Sequence, residues 1–268
     1  MTMKPIKLAR PTTPADDIVV VRTSSTDVAV DAAVDAAVDA AVDVAVDVAV
    51  DVAVEERPLR ARFVVLDDGP SPPTGVVVYE AKDPGQAVDT AIARGDPAPY
   101  GAVLWDSATA LARRLFRAEL QGRRVLELGC GCGLVGVVCA TRGALVLCTD
   151  VDVHTLVATR RAATDAAVAD RLSTAVFDLC GAAPLPLVDA APATDVIIAD
   201  VLYEPMLAAA AARRTLEALA MGARVFIGDP DRAGRQTFLR VLREAGVGGE
   251  LGPTFDDCVC VLQPIGGG

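Results

Sequence analysis

Between Arg124 and Gly136 the chain reads RVLELGCGCGLVG: an apolar run carrying Glu127, then glycines at 129, 131 and 133, with Gly136 completing a G-x-G-x-x-G that starts at Gly131. Asp150 follows 19 residues after Gly131. Glycines between a strand and a helix let backbone amides come close to a ligand. An acid at the end of the next strand suits ribose hydroxyls, so the spacing matches a dinucleotide fingerprint. Glu127 argues against that ligand, because a carboxylate two residues before Gly129 repels a pyrophosphate. S-adenosyl-L-methionine carries no phosphate. Its sulfonium and ammonium are cationic, and the ammonium gains from Glu127 directly or through water. Charge therefore selects the sulfonium cofactor over NAD or FAD. Asp150 does not discriminate, since both cofactor classes present a ribose. Its alternative role is a helix N-cap near residue 152. For Asp178, after the third strand, two roles are open: accepting from an adenine amino group, or ordinary turn chemistry.

Cysteine chemistry is the next candidate. The seven cysteines are odd in number, and several sit inside apolar strand or helix patterns. They read as reduced thiols of an intracellular protein. Cys130 and Cys132 could be imagined as metal ligands, but the chain has no CxxC pair and a single histidine, His154. They are better read as small side chains beside crowded glycines, and no metal is expected.

The elements that must position these groups follow from hydrophobic period. The pattern predicts strands at 62–66 and 75–81, joined by a Pro/Gly-rich loop. From Thr90 onward it becomes repeated β/α. A helix over 106–119 precedes a strand at 124–128, and a helix opens at Leu134 and stops at Gly143. Strands at 145–149, 173–177, 195–199 and 224–228 alternate with helices. The last apolar run, CVCVL at 258–262, is a strand with no helix after it. The expected fold is α/β: a mostly parallel sheet with helices on both faces and an antiparallel last strand. In such a sheet the ligand sits at the carboxyl ends of the strands, where strand order reverses.

Bulk composition is distorted by residues 27–54, seven four-residue units of DVAV or DAAV. The repeat holds seven aspartates, and without them the formal charge of −11 becomes −4. A four-residue step spirals around a helix, so the repeat builds no clean apolar face and reads as low complexity. We divide the chain into a flexible extension over 1–56, a strand pair and linker over 57–94, and a catalytic domain over 95–268. The net negative charge argues against nonspecific nucleic-acid binding. No apolar run is long enough to predict a membrane span. The N-terminus, basic and then Thr/Pro-rich, has no signal-peptide core. A cytoplasmic location is expected, or a mitochondrial or chloroplast one if this segment is a transit peptide.

Four blocks carry a family resemblance: PYGAVLWDSATALARRL (99–115), RVLELGCGCGLVG (124–136), DVIIADVLYEP (195–205) and RVFIGDPDRAGR (224–235). With them the chain resembles the class I, seven-β-strand methyltransferases, specifically their protein-lysine group and most of all the enzymes that methylate the electron transfer flavoprotein β-subunit. The resemblance implies a Rossmann-like seven-stranded sheet. It makes Trp105 a packing partner of the cofactor, and Glu127, Gly129, Gly131 and Gly133 the holders of its methionine part. Asp150 would take the ribose, while Asp178, Leu179 and Ala199 border the adenine and the mouth of the site. Leu179 stands where relatives carry an aromatic. Asp200 and Tyr203 match an acidic-x-x-aromatic motif, with DVLY in place of the Asn-Pro-Pro-Tyr of amino-group methylation on adenine or glutamine.

Methyl transfer from a sulfonium is an in-line displacement that rests on alignment and desolvation. A lysine acceptor must lose a proton from a group whose reference pKa is about 10.4. Asp200 would hold and orient the incoming ammonium and Tyr203 would wall the channel. Core packing is the alternative for Trp105 and for Tyr203. Asp229 is open between a turn role and a substrate-facing one. The function expected is S-adenosylmethionine-dependent methylation of a protein lysine by a monomeric enzyme. Methylation of a small molecule, a ribosomal protein or a nucleic acid, and nonenzymatic cofactor binding, are the competing readings.

Overall fold

The computed structural model describes residues 20–21, 58–67, 74–94, 99–248, 255 and 258–264. The DVAV/DAAV repeat, read above as a flexible extension, lies outside them. The repeated β/α part forms where the apolar periods place it. Strands β4 (Arg124–Leu128), β5 (Leu145–Asp150), β6 (Leu172–Val176), β7 (Asp195–Ala199) and β8 (Arg224–Gly228) run parallel. Strand β9 (Val259–Leu262) joins β8 antiparallel, as expected for a chain that ends in a strand with no crossover helix. The seventh strand is the two-residue β1 (Val20–Val21), parallel to β9 at the sheet edge. In space the order is β1-β9-β8-β7-β4-β5-β6. Succession from β4 runs one way through β5 to β6 and the other way from β7 to β9. The reversal flanks β4, whose carboxyl end leads into the glycine loop.

Two apolar layers cover the sheet. On one face lie α2 (Asp106–Phe116), α3 (Leu134–Thr141) and α4 (Val153–Asp165), packed through Leu111, Leu115, Val137, Val138, Leu156 and Ala162. Helix α3 is apolar on all sides, with every residue from Leu134 to Ala140 buried, because sheet and neighbouring helices enclose it. The other face holds α5 (Pro205–Ala220) and α6 (Arg235–Glu244). The run Ala208, Ala210, Ala211 and Ala212 lets α5 approach closely, and Phe238 and Leu242 of α6 fill the layer. Proline at the first turn of α5 gives up an amide that would lack a helical partner anyway.

The predicted strand pair forms a separate antiparallel hairpin, β2 (Leu59–Asp67) with β3 (Thr74–Ala81). It does not join the main sheet. Val64, Leu66, Val76 and Val78 lay it over α2 and α4 as part of the same apolar layer. Glu80, almost fully buried, is held between Arg60 and Arg62 and accepts from the amide of Leu104 at 2.9 Å. The hairpin is thereby tied to the segment entering Trp105. A helix, α1 (Pro84–Arg94), stands where a linker was expected. Its burial is confined to Ala87 and Ala91, so it offers almost no apolar period to read.

Candidate active site

The carboxyl ends of β4, β5 and β7 open into a cavity of about 1110 Å³. Its wall includes Trp105, Glu127, Gly129, Gly131, Asp150, Asp178, Leu179, Ala199, Asp200 and Tyr203. The topology therefore collects ten residues singled out in the sequence across almost a hundred positions. Helix α1 closes the far side through Gln86, Thr90 and Arg94.

The glycine loop is shaped by close backbone packing. Gly131 has φ +50°, and a Cβ there would lie 3.0 Å from the carbonyl oxygen of Gly101. Gly101 belongs to a short 3-10 turn, Tyr100–Ala102, that presses on the loop from outside the β/α repeat. Gly133 does not line the cavity. It has φ +71° and caps α3, and a Cβ there would stand 2.5 Å from Cγ2 and 2.8 Å from Cβ of Thr159. The backbone there is needed for packing between α3 and α4. Cys132 donates to the Gly101 carbonyl, and Cys130 lies against Thr159 and Gly131. Both thiols serve this packing.

The acids divide their oxygens between the fold and the cavity. Glu127 accepts from the Gly136 amide at 2.8 Å and from Cys148 at 3.3 Å, both on Oε2. No described residue donates to Oε1. Burial pushes its carboxyl up to about 7. Asp150 accepts from the Gly131 amide (2.9 Å) on Oδ2 and the Asp152 amide (3.0 Å) on Oδ1, fastening the loop to β5. Each oxygen keeps a further lone pair for a ligand, and burial raises this carboxyl as well. The N-cap of α4 is Asp152, which accepts from the His154 amide, so Asp150 is not the cap. Asp178 makes the expected turn through the Cys180 amide while still bordering the cavity.

At the mouth three aromatics are partly exposed. Tyr100 and Tyr203 meet edge to face with centroids 5.2 Å apart, and the Trp105 indole donates to the Tyr100 carbonyl at 3.0 Å. Neither Trp105 nor Tyr203 is a core aromatic. Burial pushes the Tyr203 phenol up to about 12, so it stays protonated across neutral pH. Asp200, at φ +58°, is buried with both oxygens engaged: Ser107 donates to Oδ2 at 2.6 Å and Arg232 to Oδ1 at 2.5 Å. Asp229 is fully buried. It accepts from the amides of Asp231 and Arg232 and pairs with Arg235, which makes it a turn residue and not a substrate-facing one.

Residues 91–239, more than half of the chain, match the lysine methyltransferase family. The chain belongs to that family. A protein of Danio rerio described as electron transfer flavoprotein beta subunit lysine methyltransferase is 34% identical over 149 residues, covering 51% of this chain and 52% of that protein. Protein N-lysine methyltransferase METTL21A, also of Danio rerio, is 49% identical over 51 residues, 18% of this chain and 23% of that one. Ribosomal protein L11 methyltransferase of Dichelobacter nodosus is 36% identical over 92 residues, 34% of this chain and 28% of the relative. The chain thus spans about half, or less, of these curated relatives. Within this member of the family, the residues around the aromatic mouth and the glycine loop that the sequence had not singled out include Tyr100, Gly101, Ser107 and Arg232. All four lie inside the Trp or GDP blocks, but nothing in their spacing marks them. No helix among the described residues is long and apolar enough to cross a membrane.

Proposed function

We propose that this lysine methyltransferase binds S-adenosyl-L-methionine in the cavity at the β4 switch point and methylates the side-chain amine of a lysine in a protein. The carrying observation is Glu127: a buried carboxylate at the end of β4, one oxygen held by α3 and the other without a donor among the described residues, in a cavity that also holds Asp150, Asp178 and Asp200. The residues present fit this cofactor. The cavity slightly exceeds the roughly 300–1,000 Å³ usual for small-molecule sites, and side-chain-free backbone at Gly129 and Gly131 permits close approach. In this reading Glu127 accepts from the ammonium, Asp150 from the ribose hydroxyls, and Asp178 and Leu179 flank the base. When bound, the cofactor supplies a methyl group on a cationic sulfur.

The chain's own residues position the acceptor. Trp105, Tyr100 and Tyr203 wall the mouth and displace water from the approaching amine, which favours its neutral form. Asp200 stands at the same end. The two Danio rerio relatives are named as lysine methyltransferases, which supports an amine acceptor. Calorimetric titration with S-adenosylmethionine and with NAD, followed by transfer of a labelled methyl group into cell-lysate protein and localisation of the label, tests the reading. Binding of the sulfonium cofactor and label on lysine is the expected result. Binding of NAD with none of the sulfonium cofactor would overturn it, and label on another residue type would remove the lysine assignment.

A further inference from the structure

We propose that Arg232 is a positioning residue of this site, the group through which buried Asp200 holds Trp105 across the cavity mouth. The sequence motif suggests that Asp200 meets the substrate ammonium itself. The geometry points elsewhere, since this acid is buried and its charge is already paired with the Arg232 guanidinium on one oxygen, while fully buried Ser107 donates to the other. An arriving ammonium would meet a buried carboxylate whose charge is already paired with a guanidinium at 2.5 Å, and would have to share it with that cation.

The same guanidinium lies over the Trp105 ring, 4.8 Å from its centroid, within the range of a cation–π contact. Its backbone is fixed independently. Asp229, buried at the end of β8 and paired with Arg235, accepts the Arg232 amide at 3.2 Å and so sets the turn that delivers the side chain. A rigid turn, a buried carboxylate and an aromatic ring thus converge on one planar cation. Arginine suits that place, because its planar fork can bond a carboxylate edge-on while its face stacks on a ring. Held in this way, the indole keeps its donor bond to the Tyr100 carbonyl and the aromatic mouth keeps one shape.

This inference rests on the acceptor reading for its consequence but not for its test, because Trp105 is the sole tryptophan of the chain. Indole emission therefore reports this contact without any acceptor. The full chain is compared with Arg232→Met, Arg232→Lys, Asp200→Asn and the double variant Asp200→Asn/Arg232→Met. Arg232→Met should shift the emission maximum and raise acrylamide quenching, with S-adenosylmethionine affinity nearly unchanged by calorimetry. Asp200→Asn should move the emission in the same direction, and the double variant should add nothing further. Arg232→Lys, which keeps the charge without the planar stack, should restore quenching only in part. Label transfer into lysate protein should fall about tenfold or more in Arg232→Met, the scale of misplaced reacting groups. Unchanged emission and quenching in Arg232→Met, or in Arg232→Lys should the methionine variant not fold, would overturn the proposal. So would additive effects in the double variant. Absence of label transfer by the wild-type protein would count against the proposed function alone, because the emission result stands without it.

Discussion

Replacing Gly133 by alanine separates the two roles a glycine in this loop can have. The added Cβ would lie 2.5 Å from Cγ2 and 2.8 Å from Cβ of Thr159, and closer still to Oγ1, on a backbone with φ +71°. The left-handed conformation costs an alanine roughly 1–2 kcal/mol. Overpacking against a buried helix costs roughly 1–3 kcal/mol more. Together the variant should lose about 2–5 kcal/mol, which for a domain of this size lowers Tm by roughly 4–20 °C. Removing the obstruction isolates the steric part. Thr159→Ala deletes the two nearest atoms and gives up one hydrogen bond to the Gly131 carbonyl, worth about 0.5–1.5 kcal/mol. Gly133→Ala/Thr159→Ala should then be more stable than the sum of the single changes by about 1 kcal/mol or more. Thermal and denaturant unfolding measure the cycle, and calorimetry measures cofactor affinity in parallel. An unchanged Tm in Gly133→Ala, or no relief from Thr159→Ala, would refute the packing argument. Tenfold loss of cofactor affinity at wild-type Tm would return Gly133 to the ligand.

Three further outcomes are expected. Burial lifts Glu127 from 4.5 to about 7, so the folded state holds this proton more tightly than the unfolded chain; the stability it adds is full below about pH 4.5 and is lost as pH rises to about 7. Affinity for a cationic cofactor should rise over the upper part of that window, and Glu127→Gln should flatten both trends when Tm and Kd are followed across it. Asp150→Ala should weaken cofactor binding by roughly 1.5–3 kcal/mol, the scale for bonds to a charged group; an unchanged Kd would take Asp150 out of the site. A chain beginning at Glu56 should keep its cofactor affinity, because the described residues lining the cavity begin at Pro58. A large drop in its Tm would assign real weight to the pairing of Val20–Val21 on β9.

The β/α succession was readable because buried parallel strands leave short apolar runs, such as VIIA before Asp200, punctuated by helices of period 3.6. The position of the site followed from the same pattern, through the switch-point rule. Helix α1 escaped because two alanines carry all of its burial, leaving nothing periodic to detect. The partners of the acids escaped for a different reason. That Asp200 is bonded by Ser107 and Arg232, residues 93 and 32 positions away, depends on side-chain reach between a helix and a turn that are far apart in sequence. A motif shows which residue types are present and not which charges are already paired. The packing of Gly133 escaped on the same grounds: its spacing matches a ligand loop, while the contact seen is with Thr159, a helix away.

The interlock between Gly101 and Gly131 bears on how such a site can be inherited or transplanted. The turn that meets the glycine loop comes from a stretch upstream of β4, and the two backbones touch where neither residue has a side chain to trim. A graft of the strand–loop–helix unit alone would carry half of a mated surface. The Trp block and the glycine block are therefore one cassette written in two places. Recombination that parts them should yield proteins that fold their sheet yet bind cofactor poorly, while joint exchange of both blocks should carry the binding site across intact.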